Sequence, residues 1–272
     1  MTEPTTLRGR TIVMSGGSRG IGLAIALRAA ADGANLVLLA KTDQPHPKLE
    51  GTIHTAVEQI EAAGGRGLAV VGDVRHDDDI DRAVAQAVEA FGGIDIVVNN
   101  ASVLVPIGTL ELSPSRYDLM QDVNVRGTFM LTRACLPYLL SSDDPQLLTL
   151  SPPLNLNPRW LGQFPGYLIA KYGMTLATLG FAAEFPQVAA NTLWPRTLIA
   201  TAAVGNLIGK PAMTGSRSPR IVADAAHLIL TGPRRSGQTL IDDEVLAEAG
   251  ITDLSGYAHV PGATLQPDIF LD

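Results

Sequence analysis

The chain has 272 residues, 46% hydrophobic and 17% charged, enough for a sizeable core, and α/β folds of this length commonly form one domain. Its net charge of -7 supplies no large basic surface to neutralise a phosphodiester backbone, so no nucleic-acid partner is expected. The single cysteine, Cys135, excludes an internal disulfide, and neither a membrane-length apolar run nor a leader-like start is present, so a cytoplasmic protein without a membrane span is expected.

Short apolar runs alternate along the chain with segments of helical period. Strands are predicted at 11–15, 35–40, 67–72, 94–99, 146–151, 188–193 and 238–242. Helices are predicted near 20–32, 52–63, 77–91, 115–140 with a break, 165–185 and 220–231. The third helix opens on Asp77-Asp78-Asp79, acids suited to the positive end of the helix dipole. The strand runs, Ile94-Asp95-Ile96-Val97-Val98 for example, are nearly continuous in branched residues, as strands covered on both faces should be. The predicted fold is therefore a Rossmann-type, doubly wound α/β domain spanning 1–272, a seven-stranded parallel sheet with helices on both faces and ligands at the carboxyl ends of the strands. Two segments suit neither element: 41–51, with Pro45 and Pro47, is read as an enlarged cofactor-side loop, and the Gly- and Pro-rich stretch 195–219 as a substrate lid.

Directly after the first strand comes Ser15-Gly16-Gly17-Ser18-Arg19-Gly20-Ile21-Gly22, opening into a helix. In that context backbone N–H groups and the positive helix end face a pyrophosphate. Gly16 permits the turn, Gly20 lets backbone approach, and Gly22 lets helix meet sheet, with Ser18, Arg19 and Ile21 beside the cofactor. The second strand ends in Ala40-Lys41-Thr42, where an NAD-preferring protein places an acid for the ribose diol. Lys41 and Arg19 can instead pair with a 2'-phosphate, so NADP(H) is expected in preference to NAD(H).

Tyr167 and Lys171 stand four residues apart at the start of a predicted helix, which puts phenol and ammonium on one face. Together with the glycine loop, Asp73-Val74, Asn99-Asn100-Ala101 and Asn124, in this order, the pattern resembles the short-chain dehydrogenase/reductase family over nearly the whole chain. A carbonyl that accepts hydride needs a proton at oxygen, and a phenol whose pKa is lowered by a nearby cation can move it in both directions. The resemblance implies that Tyr167 is the acid/base and that Lys171 also binds the nicotinamide ribose, while Asn124 positions a relay water. It implies further that Asp73, Val74, Asn100 and Ala101 contact the cofactor, and that the protein is a homodimer or homotetramer. Two departures stand out. The family's substrate-orienting serine falls at Leu154, so Ser151, or else Asn155 or Asn157, is the expected donor; and Pro195-Arg196 replaces Pro-Gly, leaving Thr197 or Thr201 to meet the nicotinamide amide.

The segments 41–48 and 151–158, Trp194-Pro195 and Leu265-Gln266-Pro267-Asp268 resemble a narrower branch of the family whose members typically carry a sterol-carrier domain. That likeness implies a lipid or fatty-acyl substrate; this chain is expected without the extra domain. The five histidines are scattered with no cysteine partners, so no metal site is expected. Trp160 and Trp194 are read as pocket or core residues, and the Pro-rich tail as crossing the substrate cleft or a subunit interface. The altered serine segment leaves two alternatives to carbonyl/alcohol chemistry: an enoyl or dienoyl reductase, or a dinucleotide-binding sensor with little turnover.

Overall fold

The structure is a computed structural model that describes residues 6–45, 51–207 and 209–272. Part of the expected cofactor-side loop, residues 46–50, and residue 208 of the expected lid lie outside the described residues. Among the described residues the chain alternates β1 (Thr11–Ser15), α1 (Gly20–Ala30), β2 (Asn35–Ala40), α2 (Ile53–Ala62), β3 (Arg66–Val71), α3 (Asp77–Phe91) and β4 (Ile96–Asn99). It continues with α4 (Pro114–Met120), α5 (Gly127–Leu139), β5 (Gln146–Thr149), α6 (Pro158–Leu161), α7 (Pro165–Glu184) and β6 (Ala189–Trp194). The remainder is α8 (Ala202–Leu207), α9 (Lys210–Thr214), α10 (Arg220–Thr231), β7 (Thr239–Ile241) and α11 (Asp242–Glu248). The strands form one seven-stranded sheet in the order β3-β2-β1-β4-β5-β6-β7, every neighbouring pair parallel.

Burial explains the strand composition. Every residue of β1, β4, β5 and β6 is buried, whereas β3, at one edge, is mostly half-exposed. One apolar layer packs α1, α2 and α10 on the sheet through residues such as Ile25, Ile60 and Ile229; the opposite layer packs α3 and α5 through Ile80, Val84 and Leu131. Cys135 is buried in that second layer, where burial raises its thiol pKa.

The break expected within 115–140 is a π-helical turn, Gln121–Arg126, between α4 and α5. The lid segment holds α8 and α9, two short helices, in place of one long element. It is stapled to the tail, because Thr197 pairs with Pro267 and Arg217 with Ala258. Among the described residues no helix is long and apolar enough to cross a membrane, and no group of three or more His, Cys, Asp or Glu side chains is placed to hold a metal.

Candidate active site

The order reversal between β1 and β4 opens a crevice at the strands' carboxyl ends, the position where doubly wound sheets take ligands. The Ser15 hydroxyl accepts the N–H groups of Asn100 and Ala101, both at 3.2 Å, and Asn100 Nδ2 donates to the Ser15 carbonyl at 3.1 Å. The amide of Asn100 then presses on the glycine loop: a Cβ on Gly16 would stand 2.6 Å from its Nδ2, and one on Gly22 2.4 Å. Gly16 also has φ +78, in the left-handed region that other residues avoid. These glycines keep side chains out of the turn before α1, beside a groove of about 570 Å³. Ser18, Arg19, Gly20, Ile21 and Lys41 line it, as do Asp73, Val74, Asn100 and Ala101. Gly22 does not; it serves the close packing of α1. A bare-backbone cradle of this shape and length suits a dinucleotide.

At the far end, Lys41 Nζ lies 3.4 Å from Asp73 Oδ2, and Arg19 Nη2 donates to Thr42 Oγ1 at 2.9 Å. Burial alone would push the Asp73 carboxyl up. Hydrogen bonds from the Arg75 side chain and backbone, with the charge of Lys41, hold it instead at about 2. Asp73, read from sequence as an adenine contact, is thus also the anchor of Arg75 and Lys41.

Tyr167 and Lys171 lie on one buried face of α7, four residues apart, with Thr175 and Thr178 continuing the stripe. Both line a cavity of about 500 Å³. It joins the groove through Ile21, Asn100, Ser102, Thr201 and Ala203, which line both. Lys171 Nζ donates to the Leu150 carbonyl at 2.7 Å and sits 5.1 Å from the centre of the Trp194 ring. Burial lowers its pKa to about 7, against the opposing pull of Asp268.

In the protein alone, without the charge of an oxidised nicotinamide that the expected lowering also requires, the phenol pKa is raised. Burial pushes the Tyr167 hydroxyl up, the negative charge of Asp268 pushes the same way, and only the hydrogen-bonding Ser102 hydroxyl opposes them. Lys171, held on the Leu150 carbonyl, is not among the groups that move the phenol pKa.

Three other expected site residues stand elsewhere. Ser151 is fully buried and its Oγ accepts from Thr175 Oγ1 at 3.0 Å, away from the cavity lining. The side chain of Asn124 is taken up at both ends by Val103, accepting its N–H at 2.7 Å and donating to its carbonyl at 3.1 Å. It holds the loop after β4 in place of reaching the cavity. Thr197 is buried with its hydroxyl unpartnered and lines neither space, whereas Thr201 lines both. Asn155 and Asn157, the alternative donors, clamp the tail instead: Asn155 Nδ2 donates to the Phe270 carbonyl at 3.2 Å and to Asp272 at 2.9 Å, and Asn157 Nδ2 donates to Asp272 at 3.4 Å.

That clamp settles where the tail runs. Phe270 is fully buried among Trp160, Tyr167, Tyr172 and Trp194, and the indoles of Trp160 and Trp194 donate to Asp272 and to the Ile269 carbonyl. Pro267, Asp268 and Ile269 form part of the cavity wall. Sequence reasoning missed Ser102 and Asp268 as site residues. Ser102 directly follows the Asn-Asn-Ala motif, which was the one available signal; Asp268 had none.

A family model for short-chain dehydrogenases matches residues 10–207. Hydroxysteroid dehydrogenase-like protein 2 of Rattus norvegicus is 53% identical over 268 residues, 98% of this chain and 51% of that protein. The Homo sapiens protein of the same name is 51% identical, again over 98% of this chain and 64% of its own length. The chain thus spans between half and two thirds of these curated relatives. A solved short-chain dehydrogenase of Mycobacterium thermoresistibile superposes with a TM-score of 0.93 at 53% identity, covering 98% of this chain and 96% of that one. A solved Xanthomonas campestris chain gives 0.95 at 56% identity, with 98% and 99% coverage.

Proposed function

The chain belongs to the short-chain dehydrogenases, a family of NAD(P)-dependent oxidoreductases, and on that premise we propose that it interconverts a carbonyl and an alcohol on a largely apolar, lipid-like substrate. The observation that carries this reading is the continuity of two spaces. The glycine-loop groove opens, through Ser102 and Thr201, into the cavity that Tyr167 and Lys171 line. When bound, the nicotinamide supplies or takes the hydride.

The protein's own residues handle the proton and the geometry. Tyr167 is protonated at neutral pH, since burial holds its proton on, and it is suited to donate that proton to a carbonyl oxygen. Ser102, beside the same hydroxyl, supplies the second donor to that oxygen, the role for which Ser151 is out of reach. Lys171, fixed on the Leu150 carbonyl, would hold the nicotinamide ribose. Leu104, Leu150, Trp194 and Leu198 exclude water around the reacting carbon.

For the cofactor we propose NADP(H) over NAD(H). Support comes from Lys41 and Arg19 at the rim of the groove and from the absence of an acid in Ala40-Lys41-Thr42. We propose also that copies pair through α5 and α7, which leave Phe129, Ile169 and Leu176 exposed; sedimentation as a monomer would remove that reading.

The central test is Tyr167→Phe. It is expected to lower ketone reduction by a factor on the order of 10² to 10⁴ while cofactor binding, followed by fluorescence, persists. Turnover that survives the substitution, or a product reduced at a carbon–carbon double bond, would overturn the carbonyl reading.

A further inference from the structure

The cavity wall is apolar over most of its extent, yet it carries one carboxylate that the proton-transfer scheme does not use. Asp268 arrives on the tail, whose backbone is fixed at each step. Its N–H donates to the Arg196 carbonyl at 3.0 Å, and Ile269 N–H donates to its Oδ1 at 2.7 Å. Trp194 then holds the Ile269 carbonyl, and Phe270 is locked in its aromatic cluster. Oδ2 has no hydrogen-bond donor among the described residues. The side chain is partly accessible and lines the cavity.

The charged neighbours do not neutralise it. Lys171 is engaged by the Leu150 carbonyl and the Trp194 ring. Arg196 pairs with Asp243 and Glu244, and Arg217 with Asp243. Asp242 and Tyr167 add only further acids. Burial accordingly pushes the Asp268 carboxyl up to about 7, against the Ile269 N–H, with Asp242 adding to the rise and Lys171 opposing it. A carboxylate oxygen at a cavity wall with no protein donor is free to accept one from a molecule that enters the cavity.

We propose that Asp268 determines specificity: its free oxygen accepts a hydrogen bond from a hydroxyl or amide N–H of the substrate, so the cavity selects a neutral, mainly apolar carbonyl compound that carries such a donor close to the reacting carbon and rejects one that carries a carboxylate there. The inference rests on the carbonyl/alcohol reading above. A site built to bond a substrate hydroxyl discriminates strongly against the analogue without it, because the buried group is then left unpaired. A substrate carboxylate would meet like charge in a water-poor space.

The test measures binding and turnover separately, at pH 8, where Asp268 is ionised. A medium-chain methyl ketone, its analogues hydroxylated one, two or three carbons from the carbonyl, and the matching keto acids are titrated calorimetrically into protein saturated with NADP⁺. Reduction of the same compounds by NADPH is followed in parallel. At least one hydroxyketone is expected to bind about tenfold or more tighter than the parent, with that ratio falling below about threefold in Asp268→Ala. Asp268→Asn, which keeps the acceptor for Ile269 N–H, is expected to relieve the rejection of keto acids by about tenfold. A hydroxyketone ratio below threefold in the native protein, or one that persists in Asp268→Ala, overturns the proposal. If the alanine variant fails to fold, keto-acid rejection that is unchanged in Asp268→Asn overturns it instead. Selective binding without reduction of any ketone would leave Asp268 as assigned and defeat the carbonyl/alcohol reading alone.

Discussion

Phe270 lies against Tyr167 with ring centroids 6.0 Å apart and planes inclined by 26°. The proposed proton donor is therefore backed by a residue 103 positions further along the chain. Phe270 is also, among the described residues, the one non-glycine residue at positive φ, +73, a conformation that costs about 1 kcal/mol or more and persists here because the ring is fully buried. Phe270→Ala is expected to cost about 3–5 kcal/mol of stability and, by loosening Pro267 to Ile269, to raise the substrate KM about tenfold. Denaturant unfolding and steady-state kinetics check both. A KM that stays put while stability falls would detach the tail from substrate binding.

The two serines near the site make opposite predictions. Ser102→Ala removes the hydroxyl beside Tyr167 and is expected to lower kcat about tenfold to a hundredfold, the effect of losing one aligned donor. Ser151→Ala removes a partner of Thr175 inside the core and is expected to cost about 1 kcal/mol of stability with kcat within about threefold. The reverse pattern would return the substrate-oxygen role to Ser151.

Cofactor choice is expected to follow the charge at the end of β2. Replacing both Lys41 and Arg19 by Ala should weaken NADPH binding by about tenfold or more and NADH binding by much less, and should flatten the salt dependence of the NADPH affinity. Equal losses for the two cofactors would mean that these cations do not read the 2'-phosphate.

Asp242 gives a prediction in pH. It is fully buried, and burial raises its carboxyl to about 6 from 3.8, despite N–H bonds from Arg196 and Asp243. Between these values the folded chain keeps a proton that the unfolded chain gives up. The group's contribution to stability is therefore fully present below pH 3.8 and is lost as pH rises through 6. Asp242→Asn, neutral throughout, is expected to gain on the native protein by up to about 3 kcal/mol between pH 4 and pH 7. Urea unfolding at the two pH values checks this; a difference that does not change with pH would refute the buried, protonated carboxyl.

The architecture was legible because its signals are local. Unbroken apolar runs such as Ile96-Val97-Val98 mark buried parallel strands, and all seven expected strands are present, with β3 and β6 displaced by one residue, to Arg66–Val71 and Ala189–Trp194. The glycine loop and the Tyr167–Lys171 spacing are also local patterns, and the structure brings both to one crevice. What sequence does not report is the bonding of groups held by distant neighbours. Ser151 has the right chemistry, but Thr175 holds it in the core; Asn124 is consumed by Val103. For the phenol, spacing reports that Lys171 is near, and not how far both groups are desolvated. The tail is expected at the substrate cleft or a subunit interface, but it is irregular and without periodicity, so which of its side chains reach the cavity comes only from tertiary packing.

Because Pro267 to Phe270 close one side of the reaction cavity, the two halves of the site are completed at different times as the chain is made. The glycine loop, Lys41, Asp73 and Asn100 all precede residue 101, and the sheet that presents them can begin to assemble while later residues are still being added. The wall bearing Asp268 is added well over a hundred residues later. Separating the segment 267–270 from the rest, by a cut before Pro267, would accordingly leave the nucleotide groove largely intact beside a reaction cavity that has lost part of its wall, with catalysis failing before the fold does.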